Sequence, residues 1–157
     1  MRQFHAPMAE DRERLLHDYR ESRAKLLKAI DGLTDEQLSQ PTLDGWAVKD
    51  HLFHLAFWDD LRADDVERIS AGFESVYKMT DDQDETHNEI AHDLRRSLSA
   101  AQARWELERS RRRLLDAIQA AHDRGLDPSR YGAAGLRTGH EEEHAGWLQR
   151  WRAEQGL

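Results

Sequence analysis

Apolar residues recur along this chain at three- and four-residue steps, the spacing that places side chains on one face of an α-helix. No stretch alternates in the manner of a β-strand, so the pattern predicts an all-α protein. The first stripe predicts a helix over about residues 8 to 31, which Gly32 ends. Its positions are Leu15, Leu16, Tyr19, Arg23, Leu26, Leu27 and Ile30.

A single helical turn is predicted directly after this first helix. Residues 34–37 read Thr-Asp-Glu-Gln, the pattern of a capping box in which the Thr and Gln side chains each bond a backbone N–H group. Pro41 closes the turn because proline cannot continue a helix. The segment is a connector, and we expect residues 1–157 to form a single domain.

The second long helix is predicted to begin at Asp44-Gly45 and to end near Gly72. The following segment, residues 73–84, runs into an acidic stretch, which predicts a mobile, solvent-exposed connection. The apolar positions of the helix trace a broad face made of Val48, Leu52, Leu55, Trp58, Leu61 and Ile69.

The third predicted helix is the longest, from about residue 85 to residue 123, with Gly125 and Pro128 after its end. Glu108 and Arg112 interrupt its apolar rhythm. One interpretation is a stutter in the repeat, with the two residues forming an ordinary surface pair four positions apart. The other is that both side chains line a polar cavity inside the bundle, where Arg112 would hold an anionic group.

The last helix is predicted over about residues 137 to 154, and its apolar stripe includes two histidines. His140 and His144 lie four positions apart and therefore share one helix face. Two imidazoles in this arrangement are what a metal ion requires from a single helix. The stripe consists of His140, His144, Trp147, Leu148 and Trp151.

Charge and composition restrict the choice of ligand. The chain has 31 acidic and 23 basic residues and a net charge of -8. Such a chain repels a phosphate backbone, so we expect no nucleic-acid partner, and the basic run at residues 109–113 is interpreted as a solvated face. The sequence has no cysteine, so a metal would have to use histidine, carboxylates and water.

The apolar runs of the chain are short. None reaches the length of a membrane span, and the N-terminal residues 1–5 lack the hydrophobic stretch of a signal peptide. These features predict a soluble protein of the cytoplasm without a membrane partner.

Residues 140–144 read His-Glu-Glu-Glu-His and so match the zinc-protease signature H-E-x-x-H. A protease would need a third ligand downstream, but Arg150 stands where the extended motif has histidine. Glu141 is instead predicted to close a capping box with Thr138, and Glu143 to point toward solvent.

A third ligand must therefore come from upstream, and the second helix offers His51 and His54. Both lie within its apolar arc, so helical geometry does not choose between them. A histidine on an apolar face also has a structural role in many proteins, as a hydrogen-bonded core residue.

Two segments resemble the DinB/YfiT-like superfamily: residues 45–59, which read GWAVKDHLFHLAFWD, and residues 140–148, which read HEEEHAGWL. In that family a tryptophan opens the second helix and a metal-binding histidine follows eight residues later, which matches His54 and not His51. The resemblance implies that His140 and His144 are the other two ligands. It further implies a four-helix bundle with up-down-down-up connectivity and a three-His site for Zn²⁺ or Ni²⁺ with an open position.

The resemblance also suggests an activity. Characterised members of the family are thiol-dependent isomerases, S-transferases and hydrolases, so it implies a metal-bound low-molecular-weight thiol that attacks a small electrophilic substrate in detoxification or stress response. An anionic group of that thiol would suit Arg112. The alternative is a non-catalytic stress protein that sequesters a small molecule, with a structural metal closed by a fourth ligand such as His51. A third interpretation has no metal and structural histidines, and in each case we expect a homodimer.

Overall fold

The computed structural model describes residues 8–42, 44–132, 135–136 and 138–157, with side chains from residue 12 onward. The N-terminal residues 1–5, where we expect no signal peptide, lie outside the described residues. No strand forms in the described part of the chain, and the all-α prediction is confirmed. The α-helices are α1 (Met8–Ile30), α2 (Asp35–Leu38), α3 (Val48–Ser70), α4 (Asp81–Arg95), α5 (Ala100–Ala120) and α6 (Gly139–Gln155).

The predicted ends of the first two long helices agree with the structure to within a few residues. Gly32 follows α1 with a φ angle of 77°, the left-handed conformation that glycine adopts without strain. The predicted capping box is present at α2, where Thr34 accepts a hydrogen bond from the Gln37 amide and the Gln37 side chain accepts one from the Thr34 amide. Within the described residues, no helix is long and apolar enough to cross a bilayer.

The prediction of one continuous third helix is wrong, because the chain turns between α4 and α5. Lys49 on α3 donates hydrogen bonds to the carbonyl oxygens of Arg96 and Leu98, at 2.9 and 2.7 Å. Ser99 then starts α5 by accepting a hydrogen bond from the Gln102 amide. Backbone groups left unpaired at the break are thus satisfied by side chains.

The acidic residues that were predicted to end a connection belong instead to the first turn of α4. Thr80 caps this helix by accepting a hydrogen bond from the Gln83 amide. Asp81, Asp82 and Asp84 follow, where their negative charge interacts favourably with the helix dipole. The connection is therefore shorter than predicted.

The connection between α3 and α4 is bound to α3 by hydrogen bonds to one buried carboxylate. Asp65 accepts hydrogen bonds from the Val76 and Tyr77 amides, at 3.0 and 3.3 Å, and from the Ser75 hydroxyl. These bonds give the loop fixed backbone partners although Val76 is exposed.

Glu108 and Arg112 form the surface pair that the first interpretation predicts. Their side chains approach to 3.5 Å and are 79% and 65% exposed. The interpretation as an internal polar cavity is wrong. Arg112 lines an open surface groove of about 530 Å³ together with Arg109 and Arg113.

Helices α3 and α5 run parallel to each other. Lys49 near the start of α3 contacts Leu98 just before α5, and Asp64 further along α3 pairs with Arg113 further along α5. Parallel neighbours need a connection that returns along the bundle. The 15 residues of α4, about 22 Å long, provide most of that return.

Helices α1 and α6 also run parallel. Arg23 pairs with Glu141 near the start of α6, whereas the Ala29 carbonyl accepts a hydrogen bond from Arg152 near its end. The contacts tie the first and last long helices together along their length.

Helices α1 and α5 run in opposite directions. Arg104 near the start of α5 bonds the Leu33 carbonyl just beyond the end of α1, and Arg12 bonds the Ile118 carbonyl near the end of α5. The four long helices therefore have up-down-down-up connectivity, as the family resemblance implied.

The core consists of two apolar clusters with a layer of buried charges between them. One cluster includes Leu26, Leu52, Leu107 and Leu148, and the other includes Leu16, Tyr19, Val66, Leu114 and Ile118. Each of the four long helices contributes charged residues to the intervening layer. These residues are Arg23 on α1, Asp59 and Arg62 on α3, Arg111 on α5 and Glu141 on α6.

Candidate metal centre

Three histidines converge where α3 faces the first half of α6. The Nε2 atom of His140 lies 2.9 Å from the Nε2 atom of His54 and 3.2 Å from the Nε2 atom of His144. The ligand atoms of the three residues all lie within 4.8 Å of one another. A group with this geometry could hold a metal ion, and it contains the three residues that the family resemblance selected.

The spacing of the three nitrogens suits a small divalent cation. Zinc–nitrogen bonds are about 2.0–2.1 Å long, so two nitrogens on one tetrahedral ion lie about 3.4 Å apart. The two Nε2···Nε2 distances of 2.9 and 3.2 Å are close to that value. Nitrogens this close share a proton, which a cation would displace.

The three imidazoles are neutral at neutral pH, the form in which histidine binds metals. Burial, and to a lesser extent the neighbouring histidines, lower the pKa of His144 to about 2. Burial likewise lowers the pKa of His54 to about 3 and that of His140 to about 4. Protons therefore do not compete for these nitrogens near pH 7.

His51 was the alternative to His54 as the third ligand. It lies beside the three-His group, on the far side of His144. Its Nδ1 atom is 2.8 Å from the Nδ1 atom of His144. Its Nε2 atom faces Asp44, at 3.3 Å from Oδ2, and the Thr42 hydroxyl, at 3.4 Å. Since α3 and α6 are antiparallel here, His51 lies opposite His144 and His54 lies opposite His140.

Trp46 covers the group from the side of α4. Its ring lies edge-on to His51 and His54, with ring centroids 5.6 and 5.5 Å apart, and stacks on His92 at 4.6 Å. The indole removes water from around the imidazoles, which contributes to their low pKa values.

Glu141 does not cap α6, so that prediction is wrong. Thr138 at the start of the helix makes no side-chain cap. The Glu141 carboxylate is buried and accepts hydrogen bonds from Ser22 at 2.6 Å, Arg23 at 2.8 Å and Arg111 at 3.0 Å. Burial alone would raise the pKa of Glu141, but the two arginines and Ser22 outweigh it and hold the pKa below its usual value.

This ion network positions the histidines, and sequence reasoning missed it. Arg111 reaches both Asp59, at 2.9 Å, and Glu141, and so ties α5 to α3 and α6. Glu141 directly follows His140, so the network fixes the position of α6 along its axis relative to α3. Arg111 lies four residues after Leu107 and three before Leu114, which places it on the same helix face as these leucines. This spacing could have indicated from the sequence that Arg111 is buried.

Neither Glu141, the glutamate that the motif offers as a base, nor Glu143 faces the three histidines. Glu141 is bound to two arginines, and Glu143 is exposed, as predicted. The protease interpretation, already rejected for lack of a downstream ligand, thus also loses Glu141 as the residue that would activate water.

A cavity of about 240 Å³ adjoins the site on the side of His51. It combines an indole wall with polar groups, which is typical of small-molecule pockets. Its lining residues are Thr42, Asp44, His51, Trp147, Leu148 and Arg150.

Comparisons with known proteins agree with this fold. The profile of a protein family described as the DinB superfamily matches residues 18–151. Among curated proteins, none matches the sequence. The fold is similar to the crystal structure of an uncharacterised protein from Escherichia coli UTI89, with a TM-score of 0.76 and 15% sequence identity, covering 93% of this chain and 95% of that chain.

Proposed function

This chain belongs to the DinB superfamily, and on that premise we propose that it is a divalent-metal-dependent enzyme whose ion is held by His54, His140 and His144. The observation that carries the proposal is the convergence of three neutral imidazole nitrogens within 4.8 Å. Borderline nitrogen ligands of this kind suit Zn²⁺ or Ni²⁺.

The composition of the group favours a catalytic site over a structural one. Structural zinc sites are closed by four protein ligands, whereas catalytic sites have three and leave one position for water or substrate. Within the described residues, the group contains three histidines and no fourth histidine or carboxylate. His51, the nearest candidate for a fourth ligand, directs its two nitrogens to His144 and Asp44 instead.

The reaction we propose is thiol S-transfer or hydrolysis on a small electrophilic substrate in the cytoplasm, with a role in detoxification or stress response. When bound, the ion supplies a Lewis acid that lowers the pKa of a coordinated water or low-molecular-weight thiol. The buried charge layer holds α6 in register, and the indole of Trp46 excludes water from the histidines. The cavity beside His51 has room for a small molecule.

Elemental analysis of untagged protein tests the metal site. We expect about one Zn or Ni per chain, and none in the triple variant His54→Ala, His140→Ala, His144→Ala. The double variant His17→Ala, His87→Ala is the matched control and should keep its metal. Absence of metal from wild-type protein even after incubation with zinc, or equal metal in the triple variant, would refute the proposal.

Turnover assays then separate the reaction classes. The loaded protein is mixed with electrophiles in the presence and absence of low-molecular-weight thiols. Thiol-dependent product indicates a transferase, and product without thiol indicates a hydrolase. Tight binding of the electrophile without product would instead support the alternative of a sequestering protein with a structural metal.

A further inference from the structure

A chain of hydrogen bonds leads away from the three-His group. His144 Nδ1 contacts His51 Nδ1 at 2.8 Å, and His51 Nε2 contacts Asp44 at 3.3 Å. His51 is 1% exposed, so these two contacts take up both of its ring nitrogens without competition from bulk water. Asp44 forms the outer end, with its side chain about half exposed.

The carboxylate at the outer end is held in place. Asp44 Oδ1 accepts hydrogen bonds from the Thr42 hydroxyl at 2.8 Å and from the Trp46 amide at 3.0 Å. Although partial burial raises the pKa of Asp44, these bonds and the proximity of His51 outweigh it and leave the pKa below its usual value. Asp44 is therefore an acceptor and cannot donate.

The direction of every bond in the chain follows from this. Since Asp44 can only accept, the proton of neutral His51 resides on Nε2 and its Nδ1 is an acceptor. A short contact between two Nδ1 atoms then requires His144 to carry its proton on Nδ1. The lone pair of His144 is consequently on Nε2, the atom that lies 3.2 Å from His140 Nε2 in the three-His group.

We propose that His51 is a positioning residue which, with Asp44 as its acceptor, fixes His144 in the Nδ1–H tautomer and so presents Nε2 to the metal. The assignment of the tautomer concerns the metal-free protein alone, whereas its use in metal binding rests on the proposed function. Hydrogen bonds from the outer nitrogen of a metal-binding histidine orient the ring and increase its basicity.

Two substitutions of His51 separate the hydrogen bond from the packing. His51→Asn places Oδ1 near the position of the imidazole Nδ1 and keeps an acceptor for His144. His51→Leu fills similar space without an acceptor. His17→Leu, on an exposed part of α1, is the matched control for loss of a histidine.

The first test is long-range ¹H–¹⁵N NMR of the histidine rings in chelator-treated protein at neutral pH. In wild-type protein we expect His144 with its proton on Nδ1 and His51 with its proton on Nε2. The His51→Asn variant should keep this state of His144, and the His51→Leu variant should lose it. A wild-type His144 protonated on Nε2 would overturn the inference without any variant.

The second test is zinc affinity, measured by competition with a chromophoric chelator. We expect His51→Leu to bind zinc about 10–100-fold more weakly than wild type, with most of that loss recovered in His51→Asn and no change in His17→Leu. Thermal unfolding checks that each variant is folded. Wild-type affinity in a folded His51→Leu variant would overturn the inference and leave the proposed function intact, whereas failure of wild-type protein to bind zinc would refute the proposed function.

Discussion

Two adjacent arginines of α5 occupy opposite environments. Arg111 is 5% exposed and bonds Asp59 and Glu141 in the charge layer. Arg112 extends into solvent and pairs with Glu108. Removing one partner from a buried ion pair leaves a charge without compensation, whereas a solvent-exposed pair contributes little.

Arg111→Ala is therefore expected to lower the free energy of unfolding by roughly 3 kcal/mol, because Asp59 and Glu141 would keep their buried charge with Arg23 as the principal remaining cation. The matched variant Arg112→Ala should change it by less than about 1 kcal/mol. Urea denaturation at pH 7 measures both values. Similar losses in the two variants would contradict this assignment.

The buried histidines make stability depend on pH. The pKa values of about 3 for His54 and about 4 for His140 lie below the ordinary 6.5, as does that of His144. Below pH 6.5 the unfolded chain takes up protons that the folded, metal-free protein does not, so the free energy of unfolding falls as pH decreases from 6.5 toward 4.

Each of these histidines contributes about 1.4 kcal/mol per pH unit in that range. His144→Gln should make the pH dependence shallower by about this amount, and His17→Gln should leave it unchanged. Urea unfolding of chelator-treated protein at pH 7, 6 and 5 gives the slopes. An unchanged slope in His144→Gln would show that His144 is not buried in its neutral form.

At the scale of secondary structure, the division between α4 and α5 depends on local capping as well as on contacts from α3. Residues 96–99 contain neither glycine nor proline, so a prediction based on apolar periodicity passes through them. Ser99 and Gln102 do form the spacing of a helix start, and the Ser99 side chain caps α5. Lys49 donates hydrogen bonds to the carbonyl groups of Arg96 and Leu98, which follow α4.

Ser99→Ala is expected to lower the free energy of unfolding by about 1 kcal/mol, since the Gln102 amide loses its acceptor. Ser99→Asp should retain most of the stability because aspartate is also a good N-cap. Ser97→Ala, two residues earlier and exposed, is the control and should have an effect below about 0.5 kcal/mol. Equal effects at the two serines in chemical denaturation would rule out the cap as the cause.

At the scale of the whole molecule, the helices pack as two parallel pairs, α1 with α6 and α3 with α5. This arrangement brings the two histidine-containing segments, residues 45–59 and 140–148, to one end of the bundle. Helix α4 makes this possible by returning the chain before α5 begins. It also exposes apolar side chains: Ile90 and Leu94 lie four residues apart on one helix face and are 55% and 68% exposed. The homodimer expected from the sequence stays a prediction, and a second copy of the chain would cover this face.

Light scattering coupled to size-exclusion chromatography tests that prediction. Wild-type protein should have twice the chain mass of 18.3 kDa, and Leu94→Glu should shift the mass toward that of one chain. Leu27→Glu changes an exposed leucine on α1 and should leave the mass unchanged. A wild-type mass of one chain at high micromolar concentration would refute the dimer.

The sequence by itself determined the all-α class, the approximate limits of α1, α3 and α6, and the presence of histidines on the inner faces of α3 and α6. These features follow from spacing within one helix, which periodicity reports directly. The selection of His54 over His51 needed the family resemblance, because both residues lie on the same apolar arc.

Only the tertiary structure decided which groups meet. Glu141 bonds Ser22, 119 positions earlier in the chain, and Arg111 bonds Asp59, 52 positions earlier. Periodicity shows that such a residue faces inward but carries no information about the partner on another helix. For the same reason the sequence assigned Glu141 to a local cap, whereas burial beside two arginines made the distant ion pairs the stable arrangement.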